Sequence, residues 1–242
     1  MKVSDRYNTR FGCVEVIDYI SAKKVMVKFV NTGTELFAQA GHIRSGNIKD
    51  PAHPSVYGVG YIGIGKYASR LNGKLTPSYI TWASMIQRCY SKKYQKIRPT
   101  YVGCSVHKDW LNFQNFSEWF EKNYKEGWHL DKDIMVAGNK IYSESTCVFV
   151  PSQVNTMITS CNSVIKTIPM CLRQSGKGFQ VAISQRGKVR CFGTYPTINE
   201  ALASYRIEKS RIAKEAIHPY LMSGQLSNDV YTAFMQRIED LK

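Results

Sequence analysis

The segment HLDKDIMVAGNKIYSESTCVFVPSQVN, residues 129 to 155, sets His129, Asp131, Lys132, Asn139 and Asn155 among core-forming Ile, Val, Phe and Cys. Asp, Asn and His are residue types that hold divalent ions, and Lys and His can face a phosphate. The segment is either a catalytic hairpin or a structural one. That choice separates a nuclease from a DNA-binding protein without chemistry. Cys104-x-x-His107 has the spacing of a zinc pair. A basic stretch, Arg88, Lys92, Lys93, Lys96, Arg98 and Lys108, is interleaved with Tyr90, Tyr94 and Tyr101 and contains no acid. Cations with aromatic rings suit a phosphate backbone and stacking on bases. Gly58, Gly60, Gly63 and Gly65 have the rhythm of a nucleotide-binding loop. Such a loop needs a helix directly after it, and the polar, turn-prone KYASRLNGKLTPS follows instead, so this stretch reads as a linker.

Composition agrees with a polyanionic partner. The 242 residues carry 33 Lys and Arg against 18 Asp and Glu, a formal charge of +15. A surplus of this size points to nucleic acid. Hydrophobic content of 43% fits a globular chain, and the length allows two or three small domains. No apolar run suits a membrane span and the N-terminus lacks a signal-peptide core, so the expected location is cytoplasmic. Seven cysteines then suggest thiols or a metal rather than disulfides.

The elements that would position these residues fall in order. GCVEVIDYI and KKVMVKFV predict a small antiparallel β-barrel or β-ribbon over residues 1–65, similar to Tudor-like barrels, followed by a linker over 66–78. Trp82, Met85, Ile86 and Cys89 share one helical face. Asn115 with Glu118 has capping-box spacing ahead of an apolar set, Phe116, Trp119 and Phe120. GFQVAISQRGKVRCFGTY predicts a hairpin with its turn at QRGK, and Thr197 with Glu200 predicts a second capped helix. A final helix over about 227–241 buries Val230, Phe234, Ile238 and Leu241. The fold class is α+β.

GKGFQVAISQRGKVRCFGTYPTINEALASY resembles the apetala-type (ethylene-response-factor) DNA-binding domain, here spanning 166–218. The resemblance implies a three-stranded sheet on one helix, with the sheet entering the major groove of double-stranded DNA. Arg173, Gln180, Ser184, Arg186, Lys188 and Arg190 are then expected on the face away from the helix, where Arg pairs with guanine and Gln with adenine. The family's usual tryptophans are missing from these strands, so its sequence preference does not carry over.

WASMIQRCY, TYVGCSVHKDW and LDKDIMVAGNKIYSESTCVFVP, with Asn155, resemble phage-encoded proteins related to HNH homing endonucleases, covering a ββα domain at 79–160. The resemblance implies a single divalent metal, Mg or Mn, with Asp131 as first ligand and Asn155 as helix ligand. It places Asn139 in the turn that the motif's middle Asn braces. The general-base position holds Lys132 in place of the usual His. A lysine with its ordinary pKa of about 10.4 is charged at neutral pH and cannot accept a proton. His129, on the same side of a strand as Asp131, is an alternative base. The family also places Cys89 and Cys147 near Cys104 and His107, which implies a structural zinc site of three Cys and one His. The resulting reading is a homing or nicking endonuclease. Its alternatives are an inactive DNA-binding protein of the same ancestry, or an adaptor or inhibitor that binds a host protein or RNA.

Overall fold

The computed structural model describes residues 1–158, 164–165, 168–169, 171–185 and 188–240. The chain forms two compact units, residues 1–122 and 123–242. Both mix helices with small antiparallel sheets. The division falls inside the 79–160 segment that the sequence reads as one domain. Among the described residues, no helix is long and apolar enough to cross a membrane.

The first unit opens with a four-stranded meander. Its strands are β1 (Arg6–Thr9), β2 (Gly12–Ser21), β3 (Lys24–Phe29) and β4 (Glu35–Ala38), paired in that order. β1 and β4 stand at the two edges, so the sheet is open and, of the two expected forms, the barrel is not formed. Closure is replaced by a cover. The short helix α1 (Ala40–Arg44) places Ala40 and Ile43 against Val14, Val16, Val25, Val27 and Phe29. The solvent face carries a cross-strand ladder of alternating charge. Arg6 pairs with Glu15 at 2.7 Å and Lys28 with Glu35 at 3.2 Å, while Glu15 and Lys28 are register partners.

Residues 66–78 are not a structureless linker. They contain a hairpin of β5 (Arg70–Leu71) and β6 (Lys74–Leu75), then enter α2 (Pro77–Tyr90) through the Thr76 cap. The Trp82, Met85, Ile86 and Cys89 stripe of α2 is buried as expected. It faces Phe113, and Trp82 Nε1 donates to the Trp110 carbonyl at 2.7 Å. α3 (Lys92–Ile97) follows with no buried residue. α4 (Phe113–Asn123) begins three residues earlier than the Asn115 cap would require. Asn112 takes the capping position, its Oδ1 accepting from Gln114 N at 3.0 Å, while Asn115 turns back to the Asp109 carbonyl. Phe116, Trp119 and Phe120 are buried as expected.

The glycine-rich stretch is a strap laid on the start of α4. Tyr61 bonds to Leu111 and Phe113 on either side of Asn112. Buried Gln114 ties it down, donating to the Ile62 and Tyr67 carbonyls and accepting from Tyr67 N. A Cβ on Gly63 would overlap the Asn112 side chain, and one on Gly65 would overlap that of Gln114. These glycines therefore allow close protein packing and do not cradle a phosphate.

The second unit is organised by one long helix. A ribbon of β7 (Trp128–Asp131) and β8 (Val148–Pro151) runs directly into the one-turn α5 (Ser152–Asn155). A three-stranded sheet follows, β9 (Leu172–Ser175), β10 (Gly178–Gln185) and β11 (Lys188–Tyr195). α6 (Ile198–Met222) is 25 residues long and serves both. From Ala201 to Ile212 it packs Ala201, Tyr205 and Ile212 against Leu172, Val181 and Ile183 of the sheet. Its second half packs Ala213 and Ile217 into the core of the ribbon, with Ile134, Val150 and Val154. α7 (Asn228–Glu239) closes that core with Val230, Phe234 and Ile238, while Leu241 lies outside the described residues. Thr197 and Glu200 form the expected capping box on α6.

Candidate nucleic-acid interface and the nuclease-like ribbon

The sheet of the second unit presents a polar row across all three strands. Arg173 is the register partner of Gln180, and Gln180 of Thr194. Direct partners in an antiparallel pair share a face. Gln180 alternates with the core residues Val181 and Phe179, so this row lies on the face away from α6. Ser184 shares that face through Ala182 and the period of two. No Asp or Glu occurs between Ser145 and Asn199, so the sheet carries no carboxylate.

Lys188 and Arg190 do not lie on the expected face. Arg190 is the partner of Ile183, whose side chain packs toward α6, and Lys188 is two residues away on the same side. The cause is a register shift. Between Gln180 and Ala182 on β10, β11 advances three residues, from Thr194 to Cys191, around Gly193 at φ +132. A bulge reverses the alternation beyond it. Val189 and Cys191 therefore take the outward positions. Both cations are nevertheless exposed. Arg186 lies outside the described residues.

In the ribbon, Asp131 is a turn-former. Its Oδ1 accepts from Asp133 N and Ile134 N, each at 2.8 Å. The turn delivers Ile134 into the ribbon core. Burial pushes the Asp131 carboxyl up to about 6, and the charge of Asp133 adds to the rise. Lys132 is only 8% exposed. Its ammonium donates to Asp133 Oδ2 at 3.0 Å and to the Asn139 carbonyl at 2.9 Å, with the Tyr142 ring 6.0 Å away. Asn139 braces the loop as expected. Its Nδ2 donates to the Lys132 and Ile141 carbonyls, both at 2.7 Å, and its Oδ1 accepts from Ile141 N. His129 is exposed opposite Val150. Asn155 ends α5, which packs back against β7 and β8.

The arrangement gives Lys132 a structural role. Its buried ammonium donates to the Asp133 carboxylate and to the Asn139 carbonyl, tying the two ends of the loop together. Asp131 Oδ1 is held by two amides and Asp133 Oδ2 by the ammonium, so a cation taking Asp133 Oδ2 would have to displace a positive charge.

The proposed zinc ligands are divided between the units. Cys89 and Cys104 are buried in the first, where the His107 ring is exposed and Nδ1 accepts from Asp109 N at 3.4 Å. Cys147 is in the second, where burial pushes its thiol up to about 12. Among the described residues, no three His, Cys, Asp or Glu side chains are grouped as a metal site requires. Lys92, Lys93, Lys96 and Arg98 are exposed on and after α3, and the Arg88 guanidinium lies over the Tyr101 ring at 5.6 Å.

Comparison of the chain with protein-family models, curated proteins and solved structures finds no match. Function therefore rests on the residues themselves.

The raised Asp131 carboxyl has a measurable consequence. Its folded pKa of about 6 exceeds the ordinary 3.8, so the folded state holds this proton more tightly. The associated stability is full below pH 3.8 and is lost as pH rises to about 6. Asp131→Asn keeps the acceptor for the two amides and offers Asp133 a donor. The variant is expected to melt roughly 2–4 °C above the natural protein at pH 7 and level with it at pH 3.5. Equal melting at both pH values would show that Asp131 is not strained by burial.

Proposed function

We propose that the protein binds double-stranded DNA through the open face of the three-stranded sheet, and that the ribbon of residues 128–155 is a scaffold without hydrolytic activity. The observation that carries the DNA reading is the row Arg173–Gln180–Thr194 on an acid-free sheet backed by α6. Arg and Gln are the side chains that read guanine and adenine edges, and a sheet can lie in a groove. The formal charge of +15 supplies the non-specific attraction. The scaffold reading rests on buried, ion-paired Lys132 at the position where the resemblance calls for a general base.

Binding of labelled duplex DNA, followed by fluorescence anisotropy, tests the sheet. Arg173→Ala is expected to cost about 1–3 kcal/mol, concentrated on the preferred sequence. An unchanged affinity on every duplex would remove the sheet from the interface.

A second reading, metal-assisted hydrolysis of DNA at Asp131 and Asn155, is favoured by one feature. Asp131 and Asp133 repel each other in a half-buried site, and a divalent ion would relieve that repulsion. This reading requires Lys132 to leave Asp133. Magnesium- or manganese-dependent nicking that disappears in Asp131→Ala would establish it in place of the scaffold.

A further inference from the structure

The hairpin between the strap and α2 is an exposed element that the packing of the first unit does not use. β5 and β6 pair Arg70 with Leu75 and Leu71 with Lys74 across an Asn72-Gly73 turn. Both turn residues have positive φ, 50 and 77, the conformation whose twist matches that of the flanking strands. Arg70 Nη1 donates to the Gly73 carbonyl at 3.0 Å, which holds the tip. Thr76 Oγ1 donates to the Ala68 carbonyl at 3.0 Å and accepts from Tyr79 N, which ties the stem to the first turn of α2. The ribbon is thus well anchored, yet every residue from Arg70 to Leu75 is exposed.

Its chemistry is equally specific. Leu71 is 64% exposed and Leu75 39%. Direct partners share a face, so each face of the ribbon presents one cation beside one leucine. Among the described residues, neither Arg70 nor Lys74 pairs with a carboxylate. No Asp or Glu occurs from Pro51 to Lys108. A two-stranded ribbon standing alone in water is marginal, and bare leucines on it gain nothing there.

We infer that Arg70–Leu75 is a second DNA contact, a β-ribbon that enters the major groove. Arg70 and Lys74 meet phosphates, and Leu71 meets base edges from the face it shares with Lys74. The inference rests on the DNA-binding reading and goes beyond it by giving the first unit its own groove-entering element. A major groove about 12 Å wide admits a two-stranded ribbon, and the thymine methyl offers an apolar surface there. No carboxylate is paired with either cation, so none has to be displaced by a phosphate. α2 has 14 residues and is therefore about 21 Å long. It sets this ribbon at one end and the cations of α3 at the other, so the first unit is basic at both ends of one helix.

Duplex affinity measured over a salt series tests this with the full chain, Arg70→Ala/Lys74→Ala, Leu71→Ser and Arg173→Ala. The double variant is expected to flatten the slope of log Kd against log salt by about 1.8, two counterions at about 0.9 each. Leu71→Ser should keep the slope and weaken binding to a thymine duplex more than to its uracil counterpart, which lacks the methyl. Leu71→Ser and Arg173→Ala should melt with the natural protein, because the altered side chains are exposed, and the double variant should lose only the exposed Arg70–Gly73 hydrogen bond. A double variant with the natural slope, beside a weakened Arg173→Ala, overturns the ribbon contact and leaves the sheet reading standing. Equal affinity for duplex RNA also overturns it, since the deep, narrow A-form major groove excludes a ribbon. A full chain that binds no duplex removes both.

Discussion

Raising salt from 50 to 200 mM is expected to weaken duplex binding about a thousandfold. Each Lys or Arg placed on a phosphate releases a condensed counterion, and the slope of log affinity is about −0.9 per contact. Six contacts give a slope near −5, and a fourfold rise in salt then lowers affinity by about that factor. The exposed cations that can supply them are Arg173, Lys188 and Arg190 in the second unit, and Arg70, Lys74, Lys92, Lys93, Lys96 and Arg98 in the first. Their acid-free settings matter as much as their number, because a neighbouring carboxylate would compete with the phosphate. Isothermal titration or anisotropy across the salt range checks the slope. A flat dependence would mean that the charge serves something other than a polyanion.

Gly63→Ala is expected to destabilise the first unit by about 3 kcal/mol, the largest effect of any single methyl group considered. Two costs combine. Gly63 has φ +73, where a Cβ costs about 1–2 kcal/mol. The added atom would also overlap the Asn112 side chain, whose Oδ1 caps α4. Displacing it adds an overpacking cost of about 1–3 kcal/mol. Gly103→Ala is the control, with φ +77 and open space around the added atom, so only the backbone cost of about 1 kcal/mol applies. Urea unfolding followed by the fluorescence of buried Trp82, Trp110 and Trp119 reads both variants. Equal losses would show that the strap does not press on Asn112.

The sequence carries the local signals well and the tertiary ones poorly. Trp82, Met85, Ile86 and Cys89 show their burial through a period that any helix must obey. Thr197 and Glu200 reveal the start of α6 because a capping box is satisfied by neighbours in sequence. The length of α6 is harder to see, since it serves two cores and its apolar stripe changes partner near Ile212. Asn72-Gly73 is a strong hairpin signal, yet the flanking polar residues make the segment resemble a linker. The glycine-rich stretch misleads for a similar reason. Close approach to Asn112 and Gln114 demands the same residue as close approach to a phosphate.

The candidate site shows the same division. Arg173, Gln180 and Ser184 follow from strand alternation. Lys188 and Arg190 do not, because the bulge at Gly193 shifts the alternation by one residue. Asn139 is legible as a loop brace. The burial of Lys132 is not, since it depends on how the loop from Asp133 to Asn139 folds back over the ammonium. The open meander at the N-terminus is likewise invisible in strand patterns, which look the same whether or not the last strand returns to the first.

One agarose gel tests binding without hydrolysis most directly. Supercoiled plasmid is incubated with the full chain in low salt with magnesium or manganese, and one half of each reaction is stripped of protein before loading. The expected result is a retarded band in the untreated half and intact supercoiled plasmid in the stripped half, for the natural protein and Asp131→Ala alike. Nicked circles made by the natural protein but not by Asp131→Ala would contradict the scaffold role of the ribbon, and an unretarded plasmid would contradict DNA binding itself.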